Sequence, residues 1–168
     1  DAIAAANPRP ELGRIDATNP CGEVSLYPYE ACILGSVNLG EMTAEGSINR
    51  EKLRRTVALG VRFLDDALEV STFPVADIEA AVSRTRKVGL GVMGFHDLLV
   101  DLDVPYDSDE AVAVADEVMG LIAEAAWDTS RRLAAERGPF PAWPNSVFED
   151  PVRNATTTTI APTGTISM

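Results

Sequence analysis

One long helical repeat limits what this chain can fold into more than any other feature. From Ser108 to Gly138, apolar residues recur every three or four positions, which predicts a helix with one buried face. Ser108 suits the N-cap, and Asp109 and Glu110 suit the positive end of the helix. At about 1.5 Å per residue, this helix would run roughly 40 Å, long enough to brace a large domain. The predicted buried stripe is Val112, Ala115, Met119, Ile122 and Ala126, with Arg131, Arg132 and Arg137 near the C-terminal end.

Two further helices precede it. One begins after Ser47, with Ser47 or Asn49 as its cap, and breaks before Pro74. A shorter helix follows over residues 75–86, with Ile78 and Val82 facing inward. The apolar face of the first of these helices comprises Leu53, Val57, Val61, Leu64 and Leu68.

Short strands are predicted between and after these helices. Residues 23–39 have the pattern of short extended pieces, broken by Pro28, Gly35 and Gly40. The β-branched run at residues 156–160 predicts a buried strand. Helices that alternate with short strands indicate an α/β architecture.

The charge balance restricts the partners of the chain. Its 168 residues include 26 acidic and 14 basic residues, for a net charge of −12, and the only lysines are Lys52 and Lys87. Such acidity disfavours a nucleic-acid partner, because phosphates would be repelled. A phosphate site would have to use local backbone N–H groups or individual arginines. The acidity fits either a salt-adapted, strongly hydrated surface or an ordinary acidic cytosolic protein.

Few residues are of the kinds that bind metals or form disulfides. Cys21, Cys32 and the single histidine, His96, cannot build a four-ligand zinc site without carboxylates, so no metal is expected. Two cysteines are too few for a secreted disulfide framework, which favours a reducing cytoplasm. No apolar run is long enough for a membrane span. We interpret His96 as structural and assign Trp127 and Trp143 to a core or an interface.

A glycine-rich segment at residues 89–94, Gly-Leu-Gly-Val-Met-Gly, matches the dinucleotide-binding fingerprint letter for letter. That fingerprint must follow a strand and open a helix, and an acidic residue must follow on a second strand. The preceding helix leaves almost no room for the strand, and Asp109 and Glu110 begin a helix instead. We therefore interpret these glycines as sites of close backbone packing, with a nicotinamide oxidoreductase as a distant alternative.

The segment Asn19-Pro-Cys21-Gly-Glu23 carries the groups of a reactive site. If it is extended, residues two apart face the same side, which would bring an amide, a thiol and a carboxylate together. The alternative is an inert cysteine beside a solvated glutamate. A second candidate, Thr163 to Ser167, could bind an anion through backbone N–H groups and hydroxyls, or could be an ordinary glycine turn with a helix cap.

Four blocks in this order resemble the catalytic subunit of the ribonucleotide reductases. They are NPCGE at 19–23, YEACILGSVNLG at 29–40, RKVGLGVMGFHDLL at 86–99 and APTGTIS at 161–167. The Pro-Cys-Gly form and the eleven-residue spacing to Cys32 are most similar to the adenosylcobalamin-dependent class II enzymes. The class I large subunits, which need a separate metal-bearing radical subunit, share the third block. The other alternative is a non-catalytic nucleotide-binding module.

The resemblance implies a role for each matching residue. Cys21 matches the cysteine that becomes a thiyl radical, Glu23 the base that takes the 3′-OH proton, and Asn19 the amide that binds the sugar hydroxyls. Cys32 resembles one of two cysteines that reduce the 2′ position and end as a disulfide, its partner lying outside these residues. The residues that match the substrate-phosphate loop are Thr163, Gly164, Thr165, Ile166 and Ser167.

The resemblance also implies a fold and partners. The family fold is a ten-stranded α/β barrel, and residues 1–168 would form one incomplete segment of its second half, with the radical-cysteine loop and outer helices. The expected ligands are a ribonucleoside di- or triphosphate substrate, adenosylcobalamin and a thioredoxin-type dithiol. Deoxynucleotide or ATP effectors would bind elsewhere in the full chain, and a homodimer is expected. The segment alone should be inactive.

Overall fold

The computed structural model describes residues 2–166, and Ser167 of the predicted phosphate loop lies outside them. Short 3-10 turns occur at Pro10–Leu12 and Leu39–Glu41. The helices are α1 Ala2–Ala5, α2 Arg50–Val70, α3 Ala76–Thr85, α4 Phe95–Asp101 and α5 Asp109–Arg137. The strands are β1 Ala17–Thr18, β2 Ser25–Leu26, β3 Ile33–Asn38, β4 Thr43–Ala44, β5 Ser47–Ile48 and β6 Val88–Met93.

The central sheet is parallel and open. Strand β3 pairs with β6 in a register that runs from Ile33 opposite Val88 to Asn38 opposite Met93. On the other side of β6, Thr158 forms one parallel bridge with Leu90. The strand predicted at 156–160 is therefore reduced to a single bridge in an extended segment. The α/β class is confirmed, and the described residues form an open sheet with helices rather than a closed barrel.

Two details of the strand predictions are wrong. Gly35 lies within β3 and does not break it, because a glycine is tolerated in a strand where a neighbour approaches closely; a Cβ there would lie 3.4 Å from the Leu64 side chain. Ile160 is exposed, whereas Thr157 and Thr159 are buried, so only part of the β-branched run enters the core.

The helix caps follow the sequence closely. The Asn49 side chain accepts a hydrogen bond from the Lys52 N–H at 2.9 Å, which makes it the cap of α2, while Ser47 lies in β5. The Ser108 side chain accepts from the Ala111 N–H at 3.1 Å and caps α5. The break of α2 before Pro74 is confirmed, since α2 ends at Val70.

Helices α2 and α5 pack together over the sheet and bury the main core. The predicted face of α2 is buried throughout. In α5, Val112 is exposed, because the buried stripe begins one residue earlier, at Ala111. Small residues on several faces of α5 leave the phase of its apolar repeat ambiguous near the start. The remaining buried apolar residues of α5 are Val118, Ile122, Ala125, Ala126, Leu133 and Ala134.

The glycine-rich segment serves close packing. Gly89 and Gly91 lie inside the central strand β6, so they do not follow a strand as the fingerprint requires. A Cβ at Gly89 would lie 2.7 Å from the Leu34 side chain, and one at Gly91 would lie 2.7 Å from the backbone oxygen of Thr159. The packing interpretation is therefore confirmed. The glycines allow both neighbouring segments to approach β6.

Aromatic residues form a second, smaller cluster and one surface contact. Trp127 and Trp143 pack against the buried cluster around Phe140, as the core assignment predicts. His96 is exposed at the start of α4, where its ring meets the edge of Tyr106 at a centroid distance of 5.8 Å. None of the helices within residues 2–166 combines the length and apolar character needed to cross a membrane.

A buried ionic network joins α2, α5 and the segments around them. The Asp65 carboxylate is fully buried and accepts hydrogen bonds from Arg86 at 2.8 Å and from Arg137 at 3.0 Å. Arg153 and Asn154 also donate to it, at 3.3 and 3.1 Å. Burial raises the pKa of Asp65, but these partners outweigh it and leave the pKa below its ordinary value. We call these five residues the Asp65 cluster.

Candidate active site

The NPCGE segment forms the connection of a small hairpin. Strands β1 and β2 are antiparallel, with Ala17 opposite Leu26, and residues 19–24 link them. The Gly22 N–H donates to the Asn19 carbonyl oxygen at 3.0 Å, and Gly22 has φ of +81°. This is a tight turn, so the extended geometry considered above, with side chains alternating between faces, is not adopted. A turn brings the two strands back together, which an extended segment of this length could not do.

Asn19 connects this turn to Cys32. Its side-chain nitrogen donates to the Cys32 sulfur at 3.5 Å, and its side-chain oxygen accepts from the Val24 N–H at 3.0 Å. The second contact closes the turn and fixes the amide orientation. Two of the predicted site residues, Asn19 and Cys32, are therefore in direct contact, although thirteen positions separate them.

The two cysteines have different surroundings. Cys21 is exposed at the turn, and Cys32 is half-buried just before β3; neither forms a disulfide. Burial raises the pKa of the Cys32 thiol, the Asn19 hydrogen bond lowers it, and the nearby Glu23 carboxylate raises it. The net pKa lies above the ordinary value of a cysteine. The solvent-facing thiol is thus the one on the turn.

Glu23 faces a small cavity beneath the turn. One of its carboxylate oxygens is buried and has no hydrogen-bond partner among the described residues. The cavity has a volume of about 170 Å³, and its polar lining includes Glu23, Ser25 and Lys87. The backbone oxygen of Glu23 accepts a hydrogen bond from the Thr159 hydroxyl. A buried carboxylate oxygen is costly unless something donates to it, so this one is free to accept a hydrogen bond from a bound hydroxyl.

Sequence reasoning missed a buried ion pair beside this cavity. Lys87 donates to the Glu30 carboxylate at 2.7 Å, and both side chains are almost completely buried. Lys87 also donates to the Ser25 carbonyl oxygen at 2.8 Å. Thr85 donates to Glu30, and the Tyr27 ring lies 4.4 Å from the Lys87 nitrogen. We call these five residues the Lys87 cluster. The scarcity of lysine was the one signal in the sequence that could have drawn attention to it.

The predicted phosphate loop follows the same extended segment. Residues 164–166 form a turn, and no helix begins within 161–166. Thr163 has φ of +56°, which is unusual for a β-branched residue and marks a constrained backbone. A cavity of about 390 Å³ separates residues 161–166 from Leu34, Gly35 and Ser36 of β3. The loop and the cysteine turn therefore both adjoin β3 and the segment that ends in Thr159 and Ile160.

A model of the family described as the ribonucleotide reductase barrel domain matches residues 1–152. The chain belongs to this family. The ribonucleotide reductase fold is also seen in a solved structure, the class Id ribonucleotide reductase alpha subunit of Actinobacillus ureae. That structure has a TM-score of 0.81 and 24% sequence identity, and the match covers 99% of this chain and 33% of that one.

Two curated ribonucleotide reductases are similar along the whole chain. A vitamin B12-dependent ribonucleoside-diphosphate reductase of Mycobacterium tuberculosis is 53% identical, over 100% of this chain and 25% of that protein. An enzyme of the same name from Thermoplasma acidophilum is 49% identical, over 100% of this chain and 22% of that protein. The chain thus spans about a quarter of the length of these relatives. The family predicted from the four sequence blocks is confirmed.

Proposed function

We propose that this chain is the radical-cysteine part of an enzyme that reduces ribonucleoside di- or triphosphates to 2′-deoxyribonucleotides, for DNA synthesis. The observation that carries the proposal is the contact of Asn19 with Cys32, which joins the exposed Cys21 turn to a second thiol. The overall reaction converts one ribonucleotide and two thiols into one deoxyribonucleotide, one water and one disulfide. The similarity to reductases at 53% identity supports this chemistry.

Each residue of the turn has a proposed part in the reaction. Cys21, as a thiyl radical, would take the 3′ hydrogen of the ribose and later return it. Glu23 would accept the 3′-OH proton while the 2′-hydroxyl leaves as water. Its unpartnered buried oxygen supports that role. Asn19 would bind the sugar hydroxyls through its side-chain amide, which its contact with the Val24 N–H already orients.

Cys32 would supply one of the two reducing thiols. The second thiol would come from a cysteine outside this chain, because Cys21 is used as the radical. The two thiols would give two electrons and two protons and would end as a disulfide. A thioredoxin-type dithiol would then reduce that disulfide.

The proposed cofactor is adenosylcobalamin, as the names of the similar enzymes suggest. When bound, this group would supply the radical by homolysis of its cobalt–carbon bond. Among the described residues, the feature that fits this cofactor is the exposed Cys21, whose sulfur can be approached from outside the turn. Among residues 2–166 we assign only Cys21 to face the cofactor.

The substrate phosphates would bind at Thr163, Gly164, Thr165, Ile166 and Ser167. The cavity between this loop and β3 supports that assignment, and local N–H groups and hydroxyls would let an acidic protein hold a polyphosphate. We also propose that residues 1–168 are one segment of the barrel domain. We further propose that deoxynucleotides or ATP bind as effectors, that the protein forms a homodimer and that it is cytoplasmic.

Anaerobic assay of the intact protein that carries this chain tests the proposal. Wild type and Cys21→Ala are compared for ribonucleotide reduction with adenosylcobalamin and a dithiol. We expect turnover that requires the cobalamin and disappears in Cys21→Ala. Turnover that instead requires a separate metal-bearing subunit would assign the protein to class I. Nucleotide binding without reduction under either condition would leave a binding module and reject the catalytic roles.

A further inference from the structure

Lys87 and Cys32 lie side by side at one edge of the central sheet. Cys32 immediately precedes β3, and Lys87 immediately precedes β6. The parallel register places Ile33 opposite Val88, so the two preceding residues are neighbours as well. Lys87 also lines the cavity that Glu23 faces. A buried positive charge thus adjoins both a thiol and a carboxylate of the proposed site.

The contacts of Lys87 fix its ammonium in place. Two of its three N–H donors are used by the Glu30 carboxylate and the Ser25 carbonyl oxygen, at 2.7 and 2.8 Å. The Tyr27 ring covers it at 4.4 Å, a distance at which the ring face attracts a cation. A buried ion pair carries a large desolvation cost, and an apolar pair of similar size is often at least as stable. Packing alone therefore does not account for a lysine here.

Three charged groups act on the Cys32 sulfur. Burial raises the pKa of the thiol most, the carboxylates of Glu23 and Glu30 raise it as well, and Lys87 lowers it. The influence is mutual: burial lowers the pKa of Lys87, whereas Glu30 and Cys32 raise it. Lys87 is the cation that opposes the two carboxylates at this thiol.

We propose that Lys87 is a positioning residue for Cys32: it holds a positive charge beside the sulfur that partly offsets the burial and the two nearby carboxylates, which disfavour the thiolate. The inference rests on the proposed function, in which Cys32 is a reducing thiol. Thiolates, rather than thiols, are the species that form disulfides by exchange. When an external dithiol attacks the disulfide that contains Cys32, the Cys32 sulfur leaves as a thiolate, and the positive charge of Lys87 would stabilise that leaving group.

Site-resolved alkylation with iodoacetamide tests this role on the intact, reduced protein. The rates at Cys32 and Cys21 are read separately by peptide mass spectrometry, and Cys21, exposed on the turn, is the internal reference. At neutral pH we expect Lys87→Met to slow alkylation of Cys32 by at least about threefold, because the thiolate fraction falls. We expect Glu30→Gln to accelerate it, because a negative charge is removed.

These opposite signs separate electrostatics from packing. If Lys87 only held the structure together, both variants would loosen this edge, expose Cys32 and accelerate its alkylation. Lys87→Arg keeps the charge and should restore most of the wild-type rate. The double variant Lys87→Met/Glu30→Gln removes both charges, so no unpaired charge is left buried and folding is protected. We expect its Cys32 to be alkylated more slowly than the Cys32 of Glu30→Gln alone.

Alkylation of Cys32 in Lys87→Met at or above the wild-type rate would overturn the inference, as would a double variant that reacts as fast as Glu30→Gln. The assay requires neither substrate nor turnover. A failure of the Cys21→Ala turnover test would therefore reject the proposed function without altering these rates, and the two failures can be told apart.

Discussion

The Asp65 and Lys87 clusters are both buried and ionic, but they differ in how many partners hold the central charge and in which groups lie beside it. Asp65 accepts from three arginines and one asparagine, and its pKa is lowered. Lys87 has one carboxylate partner, and burial lowers its pKa. Arg86 and Lys87 are adjacent in the chain, but Arg86 belongs to the Asp65 cluster and Lys87 is the centre of the other. The comparison separates a scaffold, in which four partners hold one buried carboxylate, from a site in which a single ion pair lies beside a thiol and a carboxylate.

Replacing Asp65 should have the largest effect on stability. Asp65→Ala removes the buried carboxylate partner of Arg86 and leaves it only the largely exposed Glu69, and removing one partner of a buried pair costs about 3–5 kcal/mol of unfolding free energy. The matched control is Asp66→Ala, whose half-exposed carboxylate pairs with Arg137 at 2.5 Å; it should cost about 1 kcal/mol or less. Denaturant unfolding of the intact protein measures both. Equal losses in the two variants would contradict the scaffold role of Asp65.

Gly91 should come next, because it sets the spacing between β6 and the segment that reaches the cysteine turn. Gly91→Ala would place its Cβ 2.7 Å from the Thr159 backbone oxygen, and overpacking of this kind costs about 1–3 kcal/mol. Thr159 contacts Glu23, so turnover should fall as well. Gly120→Ala is the control: no atom lies within 4 Å of its Cβ, and alanine favours a helix. A destabilised Gly120→Ala with an unaffected Gly91→Ala would reject this account.

The smallest expected effect is on the acid side of the stability profile. Because the pKa of Asp65 is lowered on folding, its contribution is present above the unfolded pKa and is lost as pH falls through the folded pKa. Thermal midpoints measured toward acid pH should therefore fall less steeply in Asp65→Asn than in wild type. Parallel profiles would show that Asp65 is not the carboxylate responsible.

The success of the sequence predictions depended on how local each interaction is. Asn49 and Ser108 cap helices through N–H groups three residues away, so the sequence alone identified Ser108 and limited the cap of α2 to Ser47 or Asn49. The glycines of β6 were assigned to packing because the surrounding pattern did not fit a nucleotide fold. Val112 was placed on the wrong face because alanines on several sides of α5 leave the apolar phase undetermined.

Other parts of the site depend on contacts between distant residues. The Asn19–Cys32 contact requires a turn at Gly22, whereas side chains that alternate with a period of two require an extended chain. Lys87 and Glu30 are 57 positions apart and meet only because β3 and β6 pair in parallel. The roles of Cys21, Glu23 and Cys32 came from the family resemblance and stay predictions.

The most direct test of the account is to find which cysteine is oxidised when product forms. The intact protein is reduced, freed of dithiol, allowed one turnover with adenosylcobalamin and substrate, and quenched in acid. Free thiols are then alkylated and mapped by mass spectrometry. The account predicts that Cys32 enters a disulfide in proportion to the deoxyribonucleotide formed, while Cys21 stays a free thiol. Product formed with Cys32 still free, or a disulfide between Cys21 and Cys32, would contradict it.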